Sequence, residues 1–120
     1  MRGHAPRVRW AMAQPIVRLS RGRFAPEKYE QVKQLIDDSA NPLVPAIRAL
    51  RGLLYYHAAV DRETNTLVNI SVWEDLAAAR QLDTLQAMLA QRPILEAAGV
   101  AFDRIANYDP LWKIEESWRI

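Results

Sequence analysis

The chain has 120 residues, half of them hydrophobic, and 16 Lys and Arg stand against 14 Asp and Glu with no cysteine at all. That length suits one domain with its own core and is too short for two. The missing cysteines exclude disulfide staples, thiolate zinc sites, iron–sulfur clusters and cysteine nucleophiles, so stability has to come from packing.

The net charge of +2 is unevenly spread, because residues 1–26 hold six arginines and no acid. The remainder, 27–120, carries ten basic and fourteen acidic residues, a net of −4. An Arg-rich leader can hold phosphates, but an acidic body opposes nucleic acid over the rest of the surface, and no nucleic-acid partner is expected. Residues 1–14 mix Arg with Trp10 and Pro6 without periodicity, the pattern of a flexible leader. No apolar run approaches the roughly 18 residues that cross a bilayer, and no hydrophobic block precedes a small-residue cleavage site. A cytoplasmic protein without membrane attachment is the expectation.

From Pro15 to Phe24, Ile16, Val17 and Leu19 alternate loosely with Arg18, Ser20 and Arg21, as in a first strand. Pro26 and Glu27 open a helix in which Tyr29, Val32, Leu35 and Ile36 recur at helical spacing. Asn41-Pro42 is expected to interrupt it, Pro45 to start a second piece, and Gly52 to cap that piece in the left-handed conformation. Leu53 to Val60 is an apolar and aromatic strand, and the polar cluster Asp61 to Asn65 is a hairpin loop. Thr66 to Trp73 alternates most clearly. Val68, Ile70 and Val72 share a face suited to packing on helices, and Leu67, Asn69, Ser71 and Trp73 share a mixed face suited to a partly polar interior. Glu74-Asp75 starts a second helical layer, Asp83-Thr84 restarts it, Pro93 opens a further short turn, and Gly99 caps it. Val100 to Tyr108 is a fourth strand, closed by Asp109-Pro110. The apolar run 111–114 and the tail 115–120 have no assigned place.

Strand, helix, strand, strand, helix, strand is the split βαβ, ferredoxin-like order. It gives an α+β domain over residues 15–114, a four-stranded antiparallel sheet with helices on one face and the other face bare. A bare face carrying large apolar residues invites association, here with a second copy of the chain to form a homodimer.

Three stretches carry a family resemblance: Ile16–Phe24, Leu43–Tyr56 (LVPAIRALRGLLYY) and Val68–Asp75 (VNISVWED). On them the chain resembles the antibiotic-biosynthesis-monooxygenase branch of the dimeric α+β barrel superfamily. The resemblance implies a dimeric barrel, a pocket between sheet and helices, no cofactor and no metal. Asn69 and Trp73, four apart on one strand face, match the spacing of an Asn and a Trp that in quinone-forming relatives orient a phenolic substrate and stabilise its anion while dioxygen reacts. Those relatives have a Tyr six residues after the Trp, where this chain has Ala79. The haem-degrading branch has an iron-binding His ten residues after the Trp, where this chain has Asp83, so haem is not expected.

The remaining candidates come from residue chemistry. His57 is the one histidine of the body. With Tyr55 it occupies one face of the second strand, Tyr56 the other, and if that face is the cavity face His57 is a candidate base and Tyr55 a donor to an oxyanion. Ser71 shares the Asn69 face, and Arg18, or Arg21 opposite it, is a candidate partner for an anionic group of the substrate. Two function classes follow: a cofactor-independent monooxygenase acting on a small aromatic or polyketide-like substrate, or a non-catalytic small-molecule-binding or stress-associated barrel in which the same residues line a pocket or pack the core.

Overall fold

The computed structural model describes residues 14–114; the leader apart from Gln14, and the tail 115–120, lie outside the described residues. Three long strands, β1 (Ile16–Arg23), β2 (Leu53–Asp61) and β3 (Thr66–Trp73), pair antiparallel with β3 in the centre of the three. The expected single fourth strand is two short ones, β4 (Ala101–Phe102) and β5 (Ala106–Tyr108), both paired antiparallel with β1. The break falls where the Asp103 carboxylate accepts from Arg21 Nε at 3.2 Å and Arg23 Nη2 at 2.8 Å, holding the chain by a side chain between the two ladders. The sheet order is β2-β3-β1-β4, with β5 alongside β1, and the helices cover one face.

Two expected helix breaks do not occur. After a 3₁₀ turn at Pro26–Lys28, α1 runs unbroken through Tyr29–Arg48 with Pro42 and Pro45 inside it. Following α2 (Leu76–Arg80) and a second 3₁₀ turn at Gln81–Asp83, α3 runs through Gln86–Ala97 with Pro93 inside it. A proline cannot donate to the carbonyl four residues earlier, which is costly when that carbonyl is buried. Here the three prolines and the residues four before them, Asp38, Asn41 and Leu89, are all exposed, so water can take the freed carbonyls.

The turns follow the sequence closely. Gly52 has φ +79° and stands where an added Cβ would come within 2.9 Å of the Ala78 Cβ, so glycine is required for both conformation and space. Its carbonyl accepts from the Glu74 N–H at 2.8 Å, tying the start of β2 to the end of β3. Asp75 caps α2, its Oδ1 accepting from the Ala78 N–H at 2.8 Å. In the β2–β3 loop the Asp61 carboxylate accepts from the N–H groups of Glu63 and Thr64, and Asn65 takes the left-handed conformation with φ 53°.

The face assignment of β3 is reversed from the expectation. Residues directly paired in an antiparallel ladder share a face, and Trp73 pairs with Ile16, Ser71 with Arg18 and Tyr56, and Asn69 with Ser20 and Ala58. Ile16 and Trp73 are buried in the core under the helices. The mixed face therefore meets the helices, and Val68, Ile70 and Val72 face the other way with Val17, Leu19, Tyr55 and His57. Along β3 the more apolar face is thus the one that the described helices leave uncovered.

Beneath the helices the core is split. One cluster gathers Ile16, Ile47, Trp73, Ala78, Ala79 and Leu82; the other gathers Phe24, Val32, Leu67, Leu95, Ala98 and Val100. Trp73 and Leu67, both fully buried, sit at opposite ends of the same face of β3, one in each cluster. Among the described residues no helix is long and apolar enough to cross a membrane.

Candidate functional site

Between the two clusters lies a cavity of about 380 Å³, floored by the sheet and walled by α1 and α3. It exists because the residues there are short. Ser20, Ala58, Asn69 and Ser71 on the sheet face Ser39 and Ala40 on α1, and side chains of that size cannot span the gap that Trp73 and Leu67 fill at either end. Leu43, Ile47, Leu82 and Leu95 supply apolar walls. Val44 and Leu89 also line it while remaining 45% and 47% exposed, which places the opening between α1 and α3.

The polar groups collect on the floor. Arg18 projects from the middle of β1, is 5% exposed, and donates through Nη2 to Asp83 Oδ1 at 2.8 Å and through Nη1 to the Ala79 carbonyl at 3.3 Å. Asp83 comes from the 3₁₀ turn after α2, and its side chain is about half exposed, 51%. The Trp73 indole Nε1–H donates to Ser71 Oγ at 2.8 Å, both residues being buried. A hydroxyl that accepts this bond keeps its own proton for another partner. Ser39 Oγ donates to the Ile36 carbonyl at 2.6 Å within α1. Among the described residues the Tyr56 hydroxyl and the Asn69 amide make no side-chain hydrogen bond, and both residues line the cavity.

Burial pushes the Tyr56 phenol up to about 12 against the pull of the nearby Arg18 guanidinium. It therefore stays protonated at neutral pH and serves as a donor. The folded form holds this proton where the unfolded chain, at the ordinary 10.0, releases it. The stabilisation is fully present below pH 10 and is lost as pH rises through 12. An ultraviolet phenolate titration should show one tyrosine ionising near 12 or only as the protein unfolds, and Tyr56→Phe should delete that component. A wild-type titration in which all tyrosines ionise together near 10 would contradict the buried placement.

Of the residues singled out in the sequence, Arg18, Asn69 and Ser71 come together on the cavity floor. Trp73 does not line the cavity; it lies in the adjoining core cluster and reaches the floor only through Ser71. His57 and Tyr55 lie on the opposite face of the sheet, their ring centroids 5.1 Å apart, so the conditional roles of base and oxyanion donor lose the cavity they required. The cause is a β-bulge. The register of β2 shifts between Leu53, opposite Trp73, and Tyr55, opposite Val72, so one extra residue turns Tyr56 inward and Tyr55 outward. Tyr56 and Asp83 are the site residues the sequence analysis passed over. Tyr56 was legible only as sitting across the strand from Tyr55, and Asp83 only as the residue where haem-binding relatives have a His. Among the described residues no cluster of three or more His, Cys, Asp or Glu could hold a metal ion.

No protein-family model matches the sequence, and no curated protein does. Solved structures do match. A candidate antibiotic biosynthesis monooxygenase from Deinococcus radiodurans superposes with a TM-score of 0.65 at 18% identity, over 86% of this chain and 99% of that one. SnoaB, a cofactor-independent oxygenase from Streptomyces nogalater, does so with 0.60 at 20% identity, over 87% and 100%. Rv0793 from Mycobacterium tuberculosis gives 0.62 at 18%, over 84% and 99%. The element order and sheet topology are those of a ferredoxin-like α+β protein. The chain shares that fold with these three proteins over more than four fifths of its length.

Proposed function

We propose that the chain is a cofactor-independent monooxygenase that oxidises a small electron-rich aromatic compound inside the cavity between sheet and helices, and that it works as a homodimer. The observation that carries the reading is the cavity itself, apolar walls around a floor of hydrogen-bond donors. An electron-rich phenol of the anthrone type reacts with dioxygen through its anion. Its ring methylene becomes a carbonyl, one oxygen atom enters that carbonyl, the other leaves as water, and all four electrons come from the substrate. The protein's task is then to hold the ring and stabilise the oxyanion with fixed donors. The Asn69 amide, the Ser71 hydroxyl backed by the Trp73 indole, and the neutral Tyr56 hydroxyl are the donors for that task, and Arg18 supplies positive charge beside them. The likeness to SnoaB supports this chemistry at the level of the fold.

Dimerisation is supported by the uncovered sheet face. Val17, Leu19, Val68, Ile70 and Val72 lie together there, with Tyr55 and Tyr108 on the same face, 48% and 52% exposed. A second copy laid face to face is self-complementary by symmetry and closes two sheets into a barrel.

The second reading, a binding barrel without catalysis, is favoured by two particulars. Ala79 stands buried in the core where quinone-forming relatives have a Tyr, and the Trp73 indole N–H is spent on Ser71 instead of reaching the cavity. Oxygen uptake by metal-stripped protein over a panel of anthrones and hydroquinones separates the two. Oxygenation predicts uptake that falls about a hundredfold in Asn69→Ala. A folded protein that binds these compounds and consumes no oxygen is a binding barrel.

A further inference from the structure

The proposed oxygenation draws on the charge of Arg18 but leaves its pairing with Asp83 unexplained. Arg18 is 5% exposed, and among the described residues its one anionic partner is Asp83, reached at 2.8 Å by Nη2 alone. With Nη1 on the Ala79 carbonyl, the guanidinium still has N–H donors to spare, and among the described residues nothing accepts from Nε. A guanidinium buried to this degree and left short of acceptors is costly unless something supplies them. Among the described residues Tyr56, Ser71 and the Asn69 amide accept nothing from Arg18, and each also has a proton to give. One guanidinium with unused N–H groups and three further donors thus converge on the cavity, an arrangement suited to an anionic oxygen.

Arg18 and Asp83 are unequal partners. Arg18 is locked in the floor by its neighbours, whereas the Asp83 side chain is 51% exposed at the cavity's edge and can turn into water. We infer that the cavity recognises a ligand with an apolar ring body and one anionic oxygen group, a carboxylate or a phenolate, which binds Arg18 by displacing Asp83. Asp83 is then an internal placeholder: it neutralises Arg18 in the empty cavity and competes with an incoming anion, while a neutral ligand of the same shape leaves it in place. The planar fork of a guanidinium suits a two-oxygen carboxylate, and a phenolate takes one of its edges. This inference rests on the cavity being a ligand site, as the proposed function does, but it needs no reaction there.

The test is calorimetric titration of the full chain with naphthoate, with its neutral amide naphthamide, and with p-nitrophenolate. Naphthoate should bind about tenfold more tightly than naphthamide, the order expected for one charge-assisted contact. Asp83→Asn keeps an acceptor for Arg18 but removes the competing charge, so it should tighten naphthoate by about another tenfold and leave naphthamide within about twofold. Arg18→Met should erase the preference. Should that variant fail to fold by circular dichroism, Arg18→Lys, which keeps the charge and loses the fork, should weaken the preference without abolishing it. A p-nitrophenolate affinity that rises in Asp83→Asn as naphthoate's does assigns the site to phenolates as well; a rise confined to naphthoate assigns it to carboxylates. Equal affinities for naphthoate and naphthamide in both wild type and Asp83→Asn overturn the inference, as does failure of all three probes to bind. Oxygen uptake is not read here, so an anion preference can stand where oxygenation fails, and uptake without such a preference overturns this inference alone.

Discussion

Trp73→Ala is expected to lower the unfolding free energy by about 3–5 kcal/mol, the usual cost of truncating a large buried aromatic. Trp73 is fully buried among Ile16, Ile47, Ala78, Ala79 and Leu82, most of them too small or too constrained to move into the space it would leave. The Ser71 hydroxyl would also lose its donor in a buried position. For a domain whose total stability is of the order of 5–15 kcal/mol, that loss alone approaches unfolding. Trp73→Phe keeps most of the ring and removes the N–H, so about 1–2 kcal/mol is expected. Urea unfolding followed by far-ultraviolet circular dichroism measures both. A Trp73→Ala loss below about 1 kcal/mol would show that the indole is not the tightly packed core side chain that its burial implies.

The two Trp73 variants also separate structure from chemistry at the site. If Trp73 acts only as packing, Trp73→Phe leaves ligand affinity unchanged. If it orients the Ser71 hydroxyl, Trp73→Phe frees that hydroxyl to rotate and weakens the binding of an acceptor-bearing ligand while the fold persists. Asn69 serves as the comparison, because it lines the cavity and makes no side-chain hydrogen bond among the described residues, so Asn69→Ala should change affinity with little change in stability.

Element order was legible because β1 and β3 alternate, β2 is a bounded apolar and aromatic run, and the loops have their own turn residues, down to Gly52 and Gly99, which take positive φ where caps were expected. The helix breaks were misplaced because proline was weighed without knowing which side of the helix it occupied; Pro42, Pro45 and Pro93 all face water. The faces of the sheet were exchanged for a deeper reason. Hydrophobicity alone assigns the β-branched side of β3 to the core, and that rule assumes that a chain covers its own apolar surface. Here the short polar residues Ser20, Asn69 and Ser71 mark a cavity under the helices, and no local pattern distinguishes a cavity floor from a solvated face. A bulge at Leu54 then decided which aromatic of Tyr55-Tyr56 turned inward, and such a one-residue slip leaves no signature in composition or spacing. Arg18 and Asp83 are 65 residues apart in sequence, and only the packing of the turn after α2 against β1 brings them together.

The exchanged faces make a prediction about assembly. Ile70 pairs with Leu19 on one side and His57 on the other, on the sheet face that the helices leave open. In a face-to-face dimer it lies within the apolar contact, and symmetry places every substitution there twice. Ile70→Lys should convert the proposed dimer to a monomer, because two ammonium groups would have to leave water with no acid among the paired neighbours to receive them. In the separated monomer the same lysine reaches solvent along its alkyl stem, so secondary structure should survive. Sedimentation equilibrium should give twice the chain mass for the wild type and the chain mass for the variant. Thermal unfolding gives a second reading: a dimer melts higher as its concentration rises, and the monomeric variant loses that dependence. A wild type that sediments as a monomer, with a melting temperature independent of concentration, would mean that Val17, Leu19, Val68, Ile70 and Val72 are covered by something other than a second copy.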